Sequence, residues 1–179
     1  LHLIEQNQTK NILNKDVMNI RKTISFSVGK GSLTHNRRDF IAPNVDPDRT
    51  QMNIEYCNEN LEQVYHQMFD DALKRFNDKQ KRADRKIESY YDKIRTGKQE
   101  KLFHEVIVQI GNREDTNSKS SDSEIAVRIL DEYMKHFQER NPNLRIFSAH
   151  LHLDEETPHL HIDFVPFVTN SKRGLDTRV

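Results

Sequence analysis

The chain has 179 residues, of which 34% are hydrophobic and 31% are charged, and its 28 basic residues balance 28 acidic ones. This length predicts one domain with its own core, and five glycines and five prolines are too few for a collagen-like or Pro/Gly-rich disordered chain. No apolar run approaches the roughly 20 residues of a membrane-spanning helix, and we see no signal-peptide pattern. The single cysteine, Cys57, cannot form an internal disulfide. The composition therefore favours a cytoplasmic protein.

The sequence divides into a short leader and one larger unit. Residues 1–21 are polar with scattered aliphatic side chains and fit neither a strand nor a long helix. We expect residues 22–179 to form the domain. Because the sequence begins with Leu1 and ends within a basic segment, we expect it to be a fragment of a longer protein.

Two strands are predicted in the first third of the chain. Residues 24–28 alternate apolar and polar side chains, which is typical of a half-buried strand. A loop containing Gly29 and Gly31 follows and leads to the basic segment 34–38. Turn residues then precede a second short strand at 51–56.

A long amphipathic helix is predicted next, with Asn58 or Asn60 as its N-cap. Apolar residues recur at three- and four-residue spacing over residues 61–76. We expect helical character to continue through the following charged stretch to about Tyr91, with Gly97 as a stop signal.

The second half of the chain predicts three strands and one helix. Residues 103–110 contain a β-branched run typical of a buried strand. Ser121 and Glu124 have the spacing of a capping box ahead of an amphipathic helix. We predict two strands at residues 144–153 and 159–167. The five-residue turn between them favours an antiparallel hairpin.

This order of elements predicts an α+β fold, with a mainly antiparallel central sheet and helices packed on it in a two-layer or three-layer sandwich.

Strand periodicity places His152 on one face of the hairpin, and His159 and His161 on one face of the second strand. Because the paired strands share their faces, the three imidazoles can converge as a metal site requires. His150 shares that face, and we interpret it as a second-shell group or a surface-facing residue.

The residues from His152 to His161 resemble the HxDExTPHxH motif of the Mob/Pre-type plasmid mobilisation relaxases, which are HUH endonucleases. Residues 34–38 resemble the HNxR motif of that family, and residues 49–56 are similar to its second motif. The motifs occur in the family's order and lie within about residues 22–167. The resemblance therefore implies an HUH relaxase-like fold for the domain.

The resemblance also implies a metal site. His152, His159 and His161 match the residues that hold one divalent cation in the family, which is expected to be Mn²⁺ or Mg²⁺. By affinity alone, three imidazoles also suit Zn²⁺ or Ni²⁺.

The same resemblance implies how the strand is cut. His35 matches the family's nucleophile, Glu155 the acid that orients or deprotonates it, and Arg38 an arginine near the scissile phosphate. Tyrosine nucleophiles remain an alternative, with Tyr56 and the Tyr90-Tyr91 pair as candidates.

The distribution of charge suggests where DNA binds. Residues 74–101 contain eleven Lys or Arg against five Asp or Glu, which indicates either a solvated helix face or a surface that contacts phosphates. We expect these side chains on the same side of the sheet as the metal site. The candidate DNA-binding residues are Lys30, Arg37, Asn53, Lys81, Arg82, Arg85, Lys86, Lys172 and Arg173.

The function implied is a site- and strand-specific DNA nickase that forms a covalent protein–5′-DNA intermediate at a plasmid transfer origin during conjugative mobilisation. Its expected partner is origin DNA, with a single-stranded nick site and an adjacent duplex or hairpin. A homodimer is expected to form through an absent C-terminal region. The alternatives are a rolling-circle replication initiator of the same fold, a zinc-dependent hydrolase and a non-catalytic DNA-binding repressor.

Overall fold

The computed structural model describes residues 22–169, which are built around one five-stranded antiparallel sheet. The last two strands form the predicted hairpin, and the final strand lies at the centre of the sheet. The strands are β1 (Ile24–Val28), β2 (Ile54–Asn58), β3 (His104–Ile110), β4 (Leu144–His152) and β5 (His159–Pro166), in the order β1-β3-β5-β4-β2.

Helices cover both faces of the sheet, so the α+β prediction is confirmed in its three-layer form. The helices are α1 (Leu33–Asn36), α2 (Leu61–Asp78), α3 (Tyr90–Thr96), α4 (Ser123–Lys135) and α5 (Phe137–Arg140), with 3-10 helices at Pro47–Met52 and Ala83–Arg85. Helices α2 and α3 pack against Phe147 and Val165 on one face. Helices α4 and α5 pack against the opposite face, which includes Leu151, Leu160 and Ile162.

The expectation of continuous helical character to about Tyr91 is wrong. Helix α2 ends at Asp78, and the side chain of Asn77 then closes a loop by pairing with both the N–H and the carbonyl of Ile87. The hydroxyl of Ser89 accepts a hydrogen bond from the N–H of Asp92 and starts α3 as a separate helix. These side-chain contacts with the backbone compete with the helix, as polar residues do near helix ends.

One local prediction is confirmed, one fails and one shifts by a few residues. Asn60, one of the two predicted N-caps, caps α2. The capping box is wrong, because α4 begins after Asp122, which makes no side-chain cap hydrogen bond. The strand expected at 51–56 begins only at Ile54, since a 3-10 helix occupies the preceding residues. Within residues 22–169, none of the helices combines the length and the apolar character needed to cross a membrane.

Candidate active site

Three histidines converge at one end of the hairpin, on the sheet face that also carries α2 and α3. The ring centroids of His152 and His161 are 4.6 Å apart, those of His159 and His161 are 4.9 Å apart, and those of His152 and His159 are 5.3 Å apart. The register explains this, because His152 pairs directly with His159 across the two strands. The apolar residues between them face α4, which anchors the strands from behind.

Each of these histidines uses one ring nitrogen to contact a fixed acceptor. Nε2 of His152 lies 2.9 Å from the carbonyl oxygen of Asn36, and Nδ1 of His159 lies 2.8 Å from that of Thr157. A carbonyl oxygen can only accept a hydrogen bond, so those two nitrogens carry the protons. The other nitrogen of each neutral ring keeps a lone pair.

Nδ1 of His161 lies 2.6 Å from a carboxylate oxygen of Glu105. Burial opposes ionisation of this acid, but hydrogen bonds from His161, from the Gly31 N–H and from Asn36 lower the pKa of Glu105 to about 2. The ionised acid accepts a hydrogen bond from Nδ1 of His161, and Nε2 of that ring is buried without a hydrogen-bond partner among the described residues.

The donor set fits a divalent metal ion. Nδ1 of His152 and Nε2 of His161 are buried and have no hydrogen-bond partner among the described residues. Ligand-type atoms of His35, His152 and His161 lie within 4.8 Å of one another, and so do those of His152, Glu155 and His159. Metal-binding histidines are typically held in this way, with the second nitrogen bonded to a carbonyl or carboxylate.

Burial keeps His152 and His159 neutral. It lowers the pKa of His152 to about 2, with a further contribution from the nearby His161, and burial also lowers the pKa of His159. Metal ions bind the neutral form of imidazole. These two rings are therefore already in their ligand form at neutral pH.

We expect the metal-free protein to lose stability as the pH falls below about 6.5. Burial lowers the pKa values of His35, His150, His152 and His159 in the folded state. Below their unfolded pKa the unfolded chain binds more protons than the native one, so the free energy of unfolding decreases by up to about 1.4 kcal/mol per pH unit for each extra proton. Urea unfolding in EDTA between pH 5 and pH 7.5 measures this slope. A stability that stays constant over that range contradicts the prediction.

His35 lies in α1, above the three histidines. Its ring centroid is 5.8 Å from that of His152 and 5.9 Å from that of His161. Its Nε2 lies 3.3 Å from a carboxylate oxygen of Glu155 and 3.2 Å from Nη1 of Arg38. Burial and the neighbouring Arg38 charge lower the pKa of His35. The ring is therefore neutral at physiological pH, with an acceptor for its proton beside it.

Arg38 joins the His35 segment to the hairpin turn. Its Nε and Nη2 donate to both oxygens of Asp154 at 2.9 and 2.7 Å, and Nη2 also donates to Glu155 at 2.7 Å. Its backbone φ of 59° lies in the left-handed region, which is uncommon for residues other than glycine. Such a backbone persists when surrounding contacts hold it, and here the double contact with Asp154 does so.

Asp154 connects three separate stretches of the chain. It is fully buried, and besides Arg38 it accepts hydrogen bonds from the side chains of Thr50 and Asn53. Burial opposes ionisation, but the hydrogen bonds from Arg38, Asn53 and Thr50 outweigh it and hold the pKa of Asp154 well below its usual range. One carboxylate therefore fixes both the His35 segment and the hairpin turn.

Replacing Asp154 with alanine should lower the free energy of unfolding by about 3–5 kcal/mol, because it leaves the charge of Arg38 buried without its main partner. Urea denaturation in EDTA measures the loss without a contribution from metal. Asp84→Ala is the matched control, since it removes a carboxylate from an exposed ion pair with Arg82 and should cost no more than about 1 kcal/mol. Equal losses in the two variants would show that Asp154 has no special structural role.

Glu105 and Asn36 are site residues that the sequence analysis missed. Asn36 donates to Glu105 at 2.8 Å and to Asp163 at 3.0 Å, so it anchors α1 to the sheet. Glu105 binds both this helix and His161. Glu105 directly precedes a β-branched run in a predicted strand, and a glutamate buried in a strand normally has a partner; this was the available signal.

The three tyrosine candidates lie outside the histidine cluster. Tyr56 packs with the core on the opposite sheet face, and its hydroxyl donates to Asp131 at 2.8 Å. Burial and this bond raise the pKa of Tyr56. Tyr90 and Tyr91 pack in the aromatic core between α2 and α3. The geometry therefore favours His35 over these tyrosines.

His150 is 5% exposed, so its interpretation as a surface-facing residue is wrong. It pairs with His161 across the hairpin, and its Nε2 has no hydrogen-bond partner among the described residues. Its position next to His161 agrees with the alternative, in which His150 is a second-shell group that supports a metal ligand without binding the ion.

The DNA-binding candidates differ in their solvent exposure and in whether their side chains are already hydrogen-bonded within the protein. Lys30 is exposed, whereas Arg37 is partly buried. Asn53 uses its amide to donate to Asp154 and to accept from the N–H of Leu153, which leaves it a structural role. Lys172 and Arg173 lie outside the described residues. Lys81, Arg82, Arg85 and Lys86 are exposed in the connection between α2 and α3, the two helices on the histidine side of the sheet.

Comparison with solved structures gives matches to the MobM relaxase domain bound to origin DNA of plasmid pMV158. In the Mn-bound complex with a 22-nucleotide DNA at pH 5.5, identity is 24%, coverage is 84% of this chain and 72% of that chain, and the TM-score is 0.48. In the complex that also carries a 3′-thiophosphate, identity is 25%, coverage is 87% and 76%, and the TM-score is 0.45. No curated protein matches the chain.

A protein-family comparison matches residues 42–178 to the Mob/Pre family, described as plasmid recombination enzyme. The match spans well over half of the chain. It includes Asp154, Glu155 and the three clustered histidines. This chain therefore belongs to the Mob/Pre family of plasmid recombination enzymes.

Proposed function

We propose that this chain is a metal-dependent relaxase that nicks one DNA strand at a plasmid transfer origin and remains covalently attached to the new 5′ end. The observation that carries the proposal is the position of His35. Its Nε2 lies 3.3 Å from Glu155, above a cluster of histidines whose free lone pairs suit a metal ion. Membership in the plasmid recombination enzymes supports the choice of DNA as substrate.

We propose His35 as the nucleophile. Nε2 attacks the scissile phosphorus in line with the departing 3′ oxygen, so a P–N bond forms as the P–O3′ bond breaks. Glu155 accepts the Nε2 proton as this bond forms, and the 3′ oxygen takes up a proton from Glu155 or from water and leaves as a free hydroxyl. The phosphoramidate keeps the energy of the broken bond, and attack by a 3′-hydroxyl in the reverse direction reseals the strand.

Glu155 and Arg38 prepare His35 for this step. Glu155 can accept the Nε2 proton, so the ring presents a lone pair to the phosphate. The guanidinium of Arg38 also donates to the backbone carbonyl of His35 at 3.0 Å. This bond fixes the ring against the hairpin, which is the positioning that in-line attack requires.

His152, His159 and His161 would hold the divalent cation, for which we propose Mn²⁺ or Mg²⁺. When bound, the ion stabilises negative charge on the non-bridging oxygens of the scissile phosphate. Second-nitrogen contacts to Asn36, Thr157 and Glu105 fix the orientation of the three rings. These contacts limit rearrangement when the ion or DNA binds.

We propose that the exposed cations between α2 and α3 contact DNA phosphates on the histidine side of the sheet. Lys30 adds a further exposed cation after β1. We assign the reaction to the cytoplasm, and the single cysteine, Cys57, which cannot form an internal disulfide, agrees with a reducing compartment.

A test of the function is incubation with a single-stranded oligonucleotide that spans the transfer origin of the encoding plasmid, in Mn²⁺, Mg²⁺ or EDTA. With either metal we expect a downstream fragment linked to the protein through its 5′ phosphate and an upstream fragment with a free 3′-hydroxyl, and with EDTA we expect neither. A scrambled oligonucleotide of the same composition is the control. Metal-dependent cleavage without a covalent adduct would instead indicate a hydrolase, and DNA binding without cleavage would indicate a repressor.

A further inference from the structure

The sheet offers an uncovered polar surface directly beside the histidine cluster. Gln109 pairs with His159 across β3 and β5, and Ile107 pairs with His161. On the next strand outward, Ser25 pairs with Gln109 and Ser27 pairs with Ile107. Residues paired across strands lie on the same face of a sheet. We call Ser25, Ser27, Ile107 and Gln109 the β1–β3 surface.

The polar groups of this surface are available to bind a ligand. Ser25 and Ser27 are exposed, and Ile107 and Gln109 are partly exposed. The Gln109 amide makes one long contact, 3.4 Å to the carbonyl of Gly111, and the Ser25 hydroxyl makes one of 3.5 Å. No helix within residues 22–169 packs on them, since the two buried clusters lie elsewhere.

The other sides of the histidine cluster are closed. Towards β4, His152 is fully buried and bonded to α1. Further along the strands, Asp163 and Ser148 are fully buried and hydrogen-bonded to each other. At the hairpin turn, Glu155 is held by Arg38 and by Asn44. Along the sheet, the β1–β3 surface is the open approach among the described residues.

We propose that a nucleotide flanking the scissile phosphate lies on the β1–β3 surface, with Gln109 as a specificity-determining residue for its base. This inference rests on the proposed nickase function. A phosphate held at the histidine cluster places its neighbouring nucleotide within one or two strand spacings, which are about 5 Å each. The serine hydroxyls can donate to backbone oxygens, and the Gln109 amide can both donate to and accept from a base edge. Ile107 offers an apolar contact for the sugar or base.

The first test places a negative charge on this surface. Ser27→Glu should weaken binding of the single-stranded origin oligonucleotide by about tenfold or more, because the new carboxylate repels the phosphates of the DNA backbone. Val28→Glu is the matched control, since Val28 is adjacent on the same strand, points to the opposite face and is 82% exposed. Equal affinities of the two variants would overturn the proposal.

The second test concerns specificity. Binding is measured with oligonucleotides in which each nucleotide next to the nick is made abasic in turn. In the wild-type protein one abasic position should lower affinity about five- to 150-fold, and Gln109→Ala should reduce that difference to near zero. The same abasic profile in Gln109→Ala and wild type would overturn the assignment.

Adduct formation by the wild-type chain is measured first with the same oligonucleotide. Absence of an adduct would reject the proposed function, and this inference with it. An adduct together with unaltered binding by Ser27→Glu and Gln109→Ala would reject this inference alone.

Discussion

Replacing His35 with alanine should remove the covalent protein–DNA adduct completely, while leaving metal binding and most DNA affinity in place. In the proposed mechanism His35 provides the nucleophilic nitrogen, whereas the proposed metal ligands and the phosphate contacts belong to other residues. Denaturing gel electrophoresis with a 3′-labelled origin oligonucleotide measures the adduct. Retention of the wild-type adduct by His35→Ala would contradict the assignment.

The chemistry of the wild-type adduct provides an independent check. A histidine phosphoramidate is labile in acid and stable in base, whereas a tyrosine phosphodiester survives mild acid. Tyr91→Phe is the control variant, and we expect it to keep wild-type adduct yield, because Tyr91 packs with Tyr65 in the core between α2 and α3. Glu155→Gln should slow adduct formation about 10²- to 10⁴-fold, the usual effect of losing a general base.

Replacing His161 with alanine should abolish tight Mn²⁺ binding and slow nicking by about 10³-fold or more, since it removes a proposed ligand and the charge stabilisation that the ion provides. Isothermal titration with Mn²⁺ and the nicking rate measure the two effects. Non-specific DNA affinity should change little, because phosphate contacts dominate it.

His136→Ala is the control for that variant, since His136 is exposed on the other side of the sheet, next to α5. Glu105→Gln should have an intermediate effect, weakening Mn²⁺ binding about 10- to 100-fold, because Glu105 orients His161 without being a proposed ligand. Wild-type Mn²⁺ affinity in His161→Ala would show that His161 is not a metal ligand and that the ion binds elsewhere.

The sequence predicted the parts of the structure that depend on local periodicity. The two-residue alternation in the hairpin placed His159 and His161 on one face, and the short turn required the two strands to be neighbours. The apolar spacing over residues 61–76 predicted the first long helix. These patterns need no knowledge of distant contacts, so single-sequence reasoning was sufficient for them.

The parts that were missed depend on the order of strands in the sheet. Glu105 meets His161 only because β3 lies beside β5, and nothing in the local sequence around Glu105 specifies that neighbour. The contacts of Asp154 with Arg38 and Asn53 likewise join residues about one hundred positions apart. The break after α2 had a local cause in Asn77, but its partner Ile87 lies ten residues further along. Long-range partners of this kind cannot be read from spacing alone.

The position of β5 has a consequence for synthesis of the protein. β5 is the last strand within residues 22–169, yet it occupies the middle of the sheet. A nascent chain on the ribosome that stops before residue 159 lacks both the strand that joins the two halves of the sheet and two of the clustered histidines. Folding must then wait for contacts between distant parts of the chain, which generally makes it slow. The proposed strand-cutting activity should therefore be absent from an unfinished or prematurely terminated chain and should arise only after translation has passed the hairpin.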